Sequence, residues 1–173
     1  MNNNQFFILM IICIITHIVR SVYEVLKHKK LLKSNKLSFA IVFTDMALLW
    51  ISWVLLCSHD IYRIHLADVY YYLGFLLTVA GALTFFTALF TIRTLESYDG
   101  DLITKGIYSK IRHPMYLGFI LWLIGFPITF GALIPFLLAI PFIANVLFWR
   151  YLEELELMDR FPSYADYKKT TLF

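Results

Sequence analysis

Long hydrophobic runs alternate with short polar stretches along the whole chain. The runs are Phe6 to about Leu26, about Ser38 to Cys57, about Val69 to Ile92, Pro114 to about Phe130, and about Ala132 to Trp149. Each reaches or approaches the ~20 helical residues that cross a bilayer's hydrocarbon core. The pattern predicts an all-α, polytopic integral membrane protein with about five transmembrane helices and a cytoplasmic C-terminal helical segment. Only Thr129, Phe130 and Gly131 join the last two runs, with Pro127 just before. That spacing predicts a tight helical hairpin that need not cross fully. No basic segment precedes the first run and no small-residue cleavage site follows it, so it reads as a span rather than a removable signal.

Composition agrees. Of 173 residues, 60% are hydrophobic and 18% aromatic, with mean hydropathy +0.71; soluble domains run nearer half apolar. The net charge of +3 matters less than where the bases stand. Five lysines fall between Lys27 and Lys36, four bases between Arg93 and Arg112, and four after Trp149, with Arg20 low in the first run. Only Arg63 of the 15 Lys and Arg lies in the remaining loop, Ser58–Asp68. Bases concentrate on the cytoplasmic side of membrane proteins. The expected orientation therefore has the N-terminus outside and the C-terminus in the cytoplasm.

Some polar residues interrupt the runs: His17, Arg20 and Glu24 in the first, Asp45 in the second. Charges at membrane depth are costly and take partners or functions. Arg20 and Asp45 sit at similar distances from their cytoplasmic ends, which predicts an Arg20–Asp45 pair. Cys13 and Cys57 are expected near opposite faces of the membrane and unpaired, and they lack metal-ligand spacing. No Gly-x-Gly-x-x-Gly, His-Glu-x-x-His or Gly-x-Ser-x-Gly is present, so no Rossmann nucleotide site or motif-borne hydrolase is indicated. The bases flank membrane runs and form no nucleic-acid patch; neither a metal nor a protein partner is implied.

Two polar clusters carry the chemistry. The first is Leu102-Ile-Thr-Lys-Gly-Ile-Tyr-Ser-Lys-Ile-Arg-His-Pro-Met-Tyr-Leu-Gly118. Pro114 suits the first turn of a helix, where its missing N–H costs nothing. Arg112 and His113 then stand at a helix mouth, whose orphan N–H groups and dipole favour anions. The second cluster is Trp149-Arg-Tyr-Leu-Glu-Glu-Leu-Glu156, followed by Phe161-Pro-Ser-Tyr-Ala-Asp-Tyr167. Taken alone, Glu153 and Glu154 also fit an amphipathic helix with an Arg150–Glu154 pair, and Tyr164 and Tyr167 fit interfacial anchors.

The two clusters together, from Leu102 to Tyr167, resemble the isoprenylcysteine carboxyl methyltransferase family, which is similar to the membrane phospholipid N-methyltransferases. The resemblance implies S-adenosyl-L-methionine in a cytoplasm-facing pocket. Carried over by position, Lys105, Gly106, Ile107 and Tyr108 line the adenosine side. His113 and Tyr116 contact the cofactor, Gly118 permits close approach, and Glu153 holds the methionine ammonium. Arg112, His113 and Glu154 are the implied catalytic residues. Two positions depart from the family pattern: Pro162 replaces a glycine, and Trp149 stands where an arginine usually contacts substrate. Arg150, one place later, is the implied substitute, so Trp149 and Arg150 form the substrate-binding pair.

The implied function is methyl transfer to a lipid-like substrate reaching the pocket from the bilayer, foremost the carboxylate of a prenylcysteine-type compound. A phospholipid amine is the alternative acceptor. A membrane reductase of the sterol type is the rival activity, with Lys105, Lys110 and Arg112 meeting an NADPH 2′-phosphate. The whole chain is expected to be one methyltransferase domain, with residues 1–101 as membrane scaffold and 102–173 carrying the cofactor loop, hairpin and C-terminal segment.

Overall fold

A computed structural model describes residues 3–32, 35–92 and 101–173; Lys33 and Arg93 of the charge pattern lie outside them. Its helices are α1 (Asn3–His28), α2 (Lys36–Ser58), α3 (Asp68–Ile92), α4 (Pro114–Phe130), α5 (Leu133–Arg160) and α6 (Tyr164–Thr170), with a short 3-10 helix at Gly106–Ser109. No β-strand occurs among the described residues. Four helices, α1, α2, α3 and α5, are long and apolar enough to cross a membrane; α4, at 17 residues, is shorter. The protein is an all-α integral membrane protein.

The helices turn their apolar sides outward. On α1, Phe7, Ile8, Ile11, Ile15, Ile18 and Val22 are exposed, whereas Cys13, Thr16, His17, Arg20 and Glu24 are buried. Lipid solvates the first set, and the second needs protein partners. The expected Arg20–Asp45 pair forms no direct salt bridge, although the two charges attract at longer range. Arg20 Nη2 pairs with Glu24 Oε1, one turn along the same helix, because the i, i+4 spacing brings those side chains together without a second helix. Asp45 Oδ2 is buried with no hydrogen-bond partner. A polar network ties α1 to α5: Ser21 Oγ donates to Asn145 Oδ1 (2.7 Å) and accepts from Trp149 Nε1 (3.0 Å). Cys13 and Cys57 are free thiols, but they do not sit at opposite faces. Cys13 donates to Ser52 Oγ, 3.1 Å away and little more than a turn from Cys57, and both belong to one apolar core.

Helices α3 and α4 pack antiparallel through glycines spaced by seven. A Cβ on Gly118 would stand 2.6 Å from the Gly81 carbonyl oxygen, and one on Gly125 would stand 2.9 Å from the Gly74 carbonyl oxygen. Small residues at such spacing let membrane helices approach to backbone contact. Trp122 Nε1 adds a bond to the Thr78 carbonyl oxygen across the same seam (2.9 Å).

The turn after α4 is as sharp as the spacing predicts. Gly131, with φ +60°, ends α4 in the left-handed conformation, which glycine adopts without a Cβ penalty. The 59–67 loop then clips this corner. Asp60 accepts from Tyr62 N (3.0 Å) and from Ile134 N (2.9 Å), supplying a cap to α5 from a distant segment. Arg63 donates to the carbonyl oxygens of Ser58 and Phe130, at the ends of α2 and α4, where the helix dipoles favour a cation.

Candidate active site

At the opposite end of the bundle the polar loop 101–113 leads into α4. His113 is the residue before the helix and Pro114 its first residue; no side chain caps this end. His113 turns away instead, into a buried cluster with the last helices. Its Nε2 lies 3.2 Å from the Tyr164 hydroxyl and 3.5 Å from Glu154 Oε1.

Helix α5 brings the second cluster to the same place. It continues unbroken past Trp149 to Arg160, about 42 Å at 1.5 Å per residue. That exceeds the ~30 Å hydrocarbon core, so its last turns project beyond it. Glu154 lies 3.5 Å from Arg112 Nε and accepts from Lys168 Nζ at 2.6 Å. The i, i+4 alternative, Arg150–Glu154, is not formed among these contacts. Arg112 Nη1 donates to the carbonyl oxygens of Thr171 (2.6 Å) and Lys168 (3.0 Å). Backbone bonds from Arg112 N to Leu172 O (3.0 Å) and Leu172 N to Lys110 O (2.8 Å) finish the latch. The segment after α5 is thereby folded back over the mouth of α4.

Tyr164 and Tyr167 were expected as interfacial anchors, but both belong to this cluster. Tyr164 is fully buried, and Tyr167 donates to the Tyr108 carbonyl oxygen at 2.5 Å. Burial pushes the Tyr108, Tyr164 and Tyr167 hydroxyls above their ordinary pKa. They therefore remain neutral hydrogen-bond donors at physiological pH.

These elements enclose a cavity with an empty volume of about 1270 Å³, its open mouth included. Tyr108, Arg112, His113, Tyr116, Trp149 and Glu153 line it. The structure thus brings six of the twelve sequence-derived site residues to one wall set. Glu154 stands behind, positioning Arg112 and His113. Lys105, Gly106, Ile107, Gly118 and Arg150 do not line the cavity. Gly106 adopts φ +61° at the start of the 3-10 helix, and Gly118 approaches α3 rather than the cavity. Arg150 lies over the Phe173 ring at 4.7 Å. The guanidinium over Trp149 is that of Arg20, 5.8 Å from the ring centroid.

Several lining residues were not singled out as site residues in the sequence, though some stand within the two polar clusters. Arg20, Glu24 and Lys27 come from α1, and Asp101, Leu102 and Ile103 from the loop before the 3-10 helix. Glu156, Arg160 and Phe161 come from the end of α5. Met46, Phe85 and Phe119 form an apolar wall. The charges at membrane depth in α1 were a signal, read above as a structural pair. Chemically, the cavity presents carboxylates and cations beside aromatic and aliphatic surface. Such a set suits a ligand that is charged at one end and apolar at the other.

A sequence profile of the phospholipid methyltransferase family matches residues 69–164, more than half of the chain. The chain belongs to that family. Both helices of the glycine seam and both polar clusters, up to Tyr164, fall within the family match. The chain is also similar to the protein-S-isoprenylcysteine O-methyltransferase of Schizosaccharomyces pombe, at 33% identity over 85 residues. That alignment covers 45% of this chain and 34% of the yeast protein, so the match spans about a third of that relative's length. No solved structure matches.

Proposed function

We propose that this family member transfers a methyl group from S-adenosyl-L-methionine to a lipid-like acceptor. The carrying observation is that Tyr108, Arg112, His113, Tyr116 and Glu153, drawn from two clusters some forty residues apart, converge on one cavity. The single domain of the sequence reading is part of this proposal, with α1–α3 as scaffold and residues 102–173 as the catalytic unit. So is the orientation, in which the cavity opens to the cytoplasm.

The residues present fit the cofactor. Glu153 supplies a carboxylate for an ammonium, and Tyr108 and Tyr116 supply aromatic surface. When bound, S-adenosyl-L-methionine supplies a sulfonium-activated methyl group. The chain's task is then alignment and exclusion of water. His113, held by Tyr164 and Glu154, fixes the helix mouth. Arg112 anchors the folded-back tail, whose Tyr164 and Tyr167 line the cavity. The apolar wall of Met46, Phe85 and Phe119 suits the acceptor's hydrocarbon part.

The acceptor we favour is a carboxylate of the prenylcysteine type, as in the yeast relative's name. It is ionised at neutral pH and requires no base, so the rate at saturating acceptor should change little between about pH 6.5 and 8.5. A phospholipid amine would first lose a proton, and its rate would climb with pH. The decisive experiment is thermal stabilisation of the detergent-solubilised protein by S-adenosylhomocysteine against NADPH, since a ligand that binds the native state raises stability. We expect stabilisation by S-adenosylhomocysteine, weakened in His113→Ala and Glu153→Ala. Stabilisation by NADPH alone would assign the cavity to a reductase.

A further inference from the structure

Arg20 is a cavity residue that the family match does not include. It belongs to α1, whereas the match begins at residue 69. It sits two turns before the end of α1 at His28, roughly 12 Å inward at 1.5 Å per residue. It is 7% exposed. Glu24 takes one of its nitrogens, Nη2. Its Nε and Nη1 are buried with no hydrogen-bond partner among the described residues, which leaves three N–H donors unmet. Such donors are costly to bury unless something accepts from them.

The other cations lining the cavity are engaged. Lys27 lies 3.7 Å from Glu156, and Arg160 lies 3.5 Å from Glu156. Arg112 donates through Nη1 to the tail carbonyl oxygens, and its Nε lies 3.5 Å from Glu154 without a hydrogen bond. Arg20 differs in its depth, in being clamped, and in having two buried nitrogens, Nε and Nη1, without a hydrogen-bond partner, against one, Nε, on Arg112. The rings of Tyr23 (5.4 Å) and Trp149 (5.8 Å) flank its guanidinium, and Trp149 is itself fixed by its bond to Ser21. Met46, Phe85 and Phe119 line the same cavity, so apolar surface accompanies the cation.

We propose that Arg20 is the anchor for the anionic group, carboxylate or phosphate, of an amphiphilic acceptor whose hydrocarbon part lies along the Met46–Phe85–Phe119 wall. Glu24 orients the guanidinium and Trp149 supports its face. The proposal rests on the methyl-transfer reading for calling the ligand an acceptor, but the anion site stands on its own geometry.

The test is calorimetric binding to the full chain in detergent, with partition into empty micelles subtracted. The probes are a farnesylthio-carboxylic acid against its methyl ester, and lysophosphatidic acid against monoacylglycerol. A charge-assisted hydrogen bond is worth about 1.5–3 kcal/mol, or about tenfold and upward in affinity. The wild-type chain should prefer one of the two anions over its neutral counterpart by at least about tenfold, and the pair showing the preference identifies the source. Arg20→Gln should abolish the preference, and Arg20→Lys should retain part of it. Arg20→Met with Glu24→Met removes both buried charges and serves if the single variant fails to fold; it too should lose the preference. S-adenosylhomocysteine affinity is measured on the same samples and should stay within about twofold in Arg20→Gln. No preference in the wild type, a preference that survives Arg20→Gln, or an equal loss of S-adenosylhomocysteine affinity would overturn the proposal. An Arg20-dependent preference without any S-adenosylhomocysteine binding would instead remove the methyl-transfer reading and leave the anion site.

Discussion

Glu154 is where the two polar clusters meet, and Glu154→Gln tests whether it holds the site together. The carboxylate is 7% exposed and faces two cations and an imidazole: Lys168 at 2.6 Å, Arg112 at 3.5 Å and His113 at 3.5 Å. Lys168 is 43% exposed, so solvent screening limits that pair to about 1 kcal/mol or less, and the amide of glutamine can still accept from it. Arg112 and His113 are 11% and 3% exposed. Removing the partner of a buried charge costs about 3–5 kcal/mol. At 3.5 Å the contacts are loose, which places the loss near the lower end, about 3 kcal/mol. For a chain of this length each kcal/mol moves the melting temperature by about 2–4 °C, so the shift should be about 6–12 °C. Intrinsic fluorescence of the detergent-solubilised protein reads it, and limited proteolysis should show faster cleavage within residues 161–173. Lys168→Met should cost only a few degrees at most. A Glu154→Gln shift under about 2 °C, with an unchanged proteolysis pattern, would refute the view that this carboxylate latches the tail to the mouth of α4.

Three further outcomes are expected. In intact cells His65→Cys should label with an impermeant reagent while Lys30→Cys labels only after permeabilisation, as the base distribution predicts; the reverse pattern would invert the orientation. Gly118→Val should sharply reduce the yield of folded protein, because even a Cβ there would stand 2.6 Å from the Gly81 carbonyl oxygen; wild-type yield and melting temperature would contradict the glycine seam. Asp60→Ala removes the acceptor for Ile134 N and should cost about 1–2 kcal/mol, as loss of a helix cap does, seen as a melting temperature lower by several degrees; an unchanged melting temperature would argue against that cap.

The hydropathy pattern determined the helices almost to their ends, except for α5, which continues past the apolar run at Trp149 to Arg160. Bilayer thickness sets the length of an apolar run, so the run from Pro114 to Phe130 reads directly as α4. Local chemistry likewise set the punctuation: Pro114 opens that helix and Gly131 closes it. The two polar clusters were legible because each is contiguous in sequence and foreign to its apolar surroundings. Their joint resemblance to a methyltransferase family was legible for the same reason.

Partners were not legible, because depth along a helix is a one-dimensional quantity and contact is not. Arg20 and Asp45 share a depth, yet rotation about α1 gave Arg20 to Glu24. Gly118 sits in the first turns of α4 either way, but only the crossing of α3 and α4 turned it toward Gly81. The step from Trp149 to Arg150 is about 100° around a helix, and packing decided that Trp149 lines the cavity while Arg150 covers Phe173. Tyr164 and Tyr167 have the amphipathic character of interfacial anchors, and nothing local distinguishes that role from a buried one. The chain after Arg160 had to fold back, bonded through Leu172 and Arg112, before those rings could reach His113 and Tyr108. The sequence by itself determined which segments enter the membrane and which residues carry charge. Tertiary packing alone decided which of those charges face one cavity, since that depends on the rotation of each helix about its axis, and many side chains jointly set that angle.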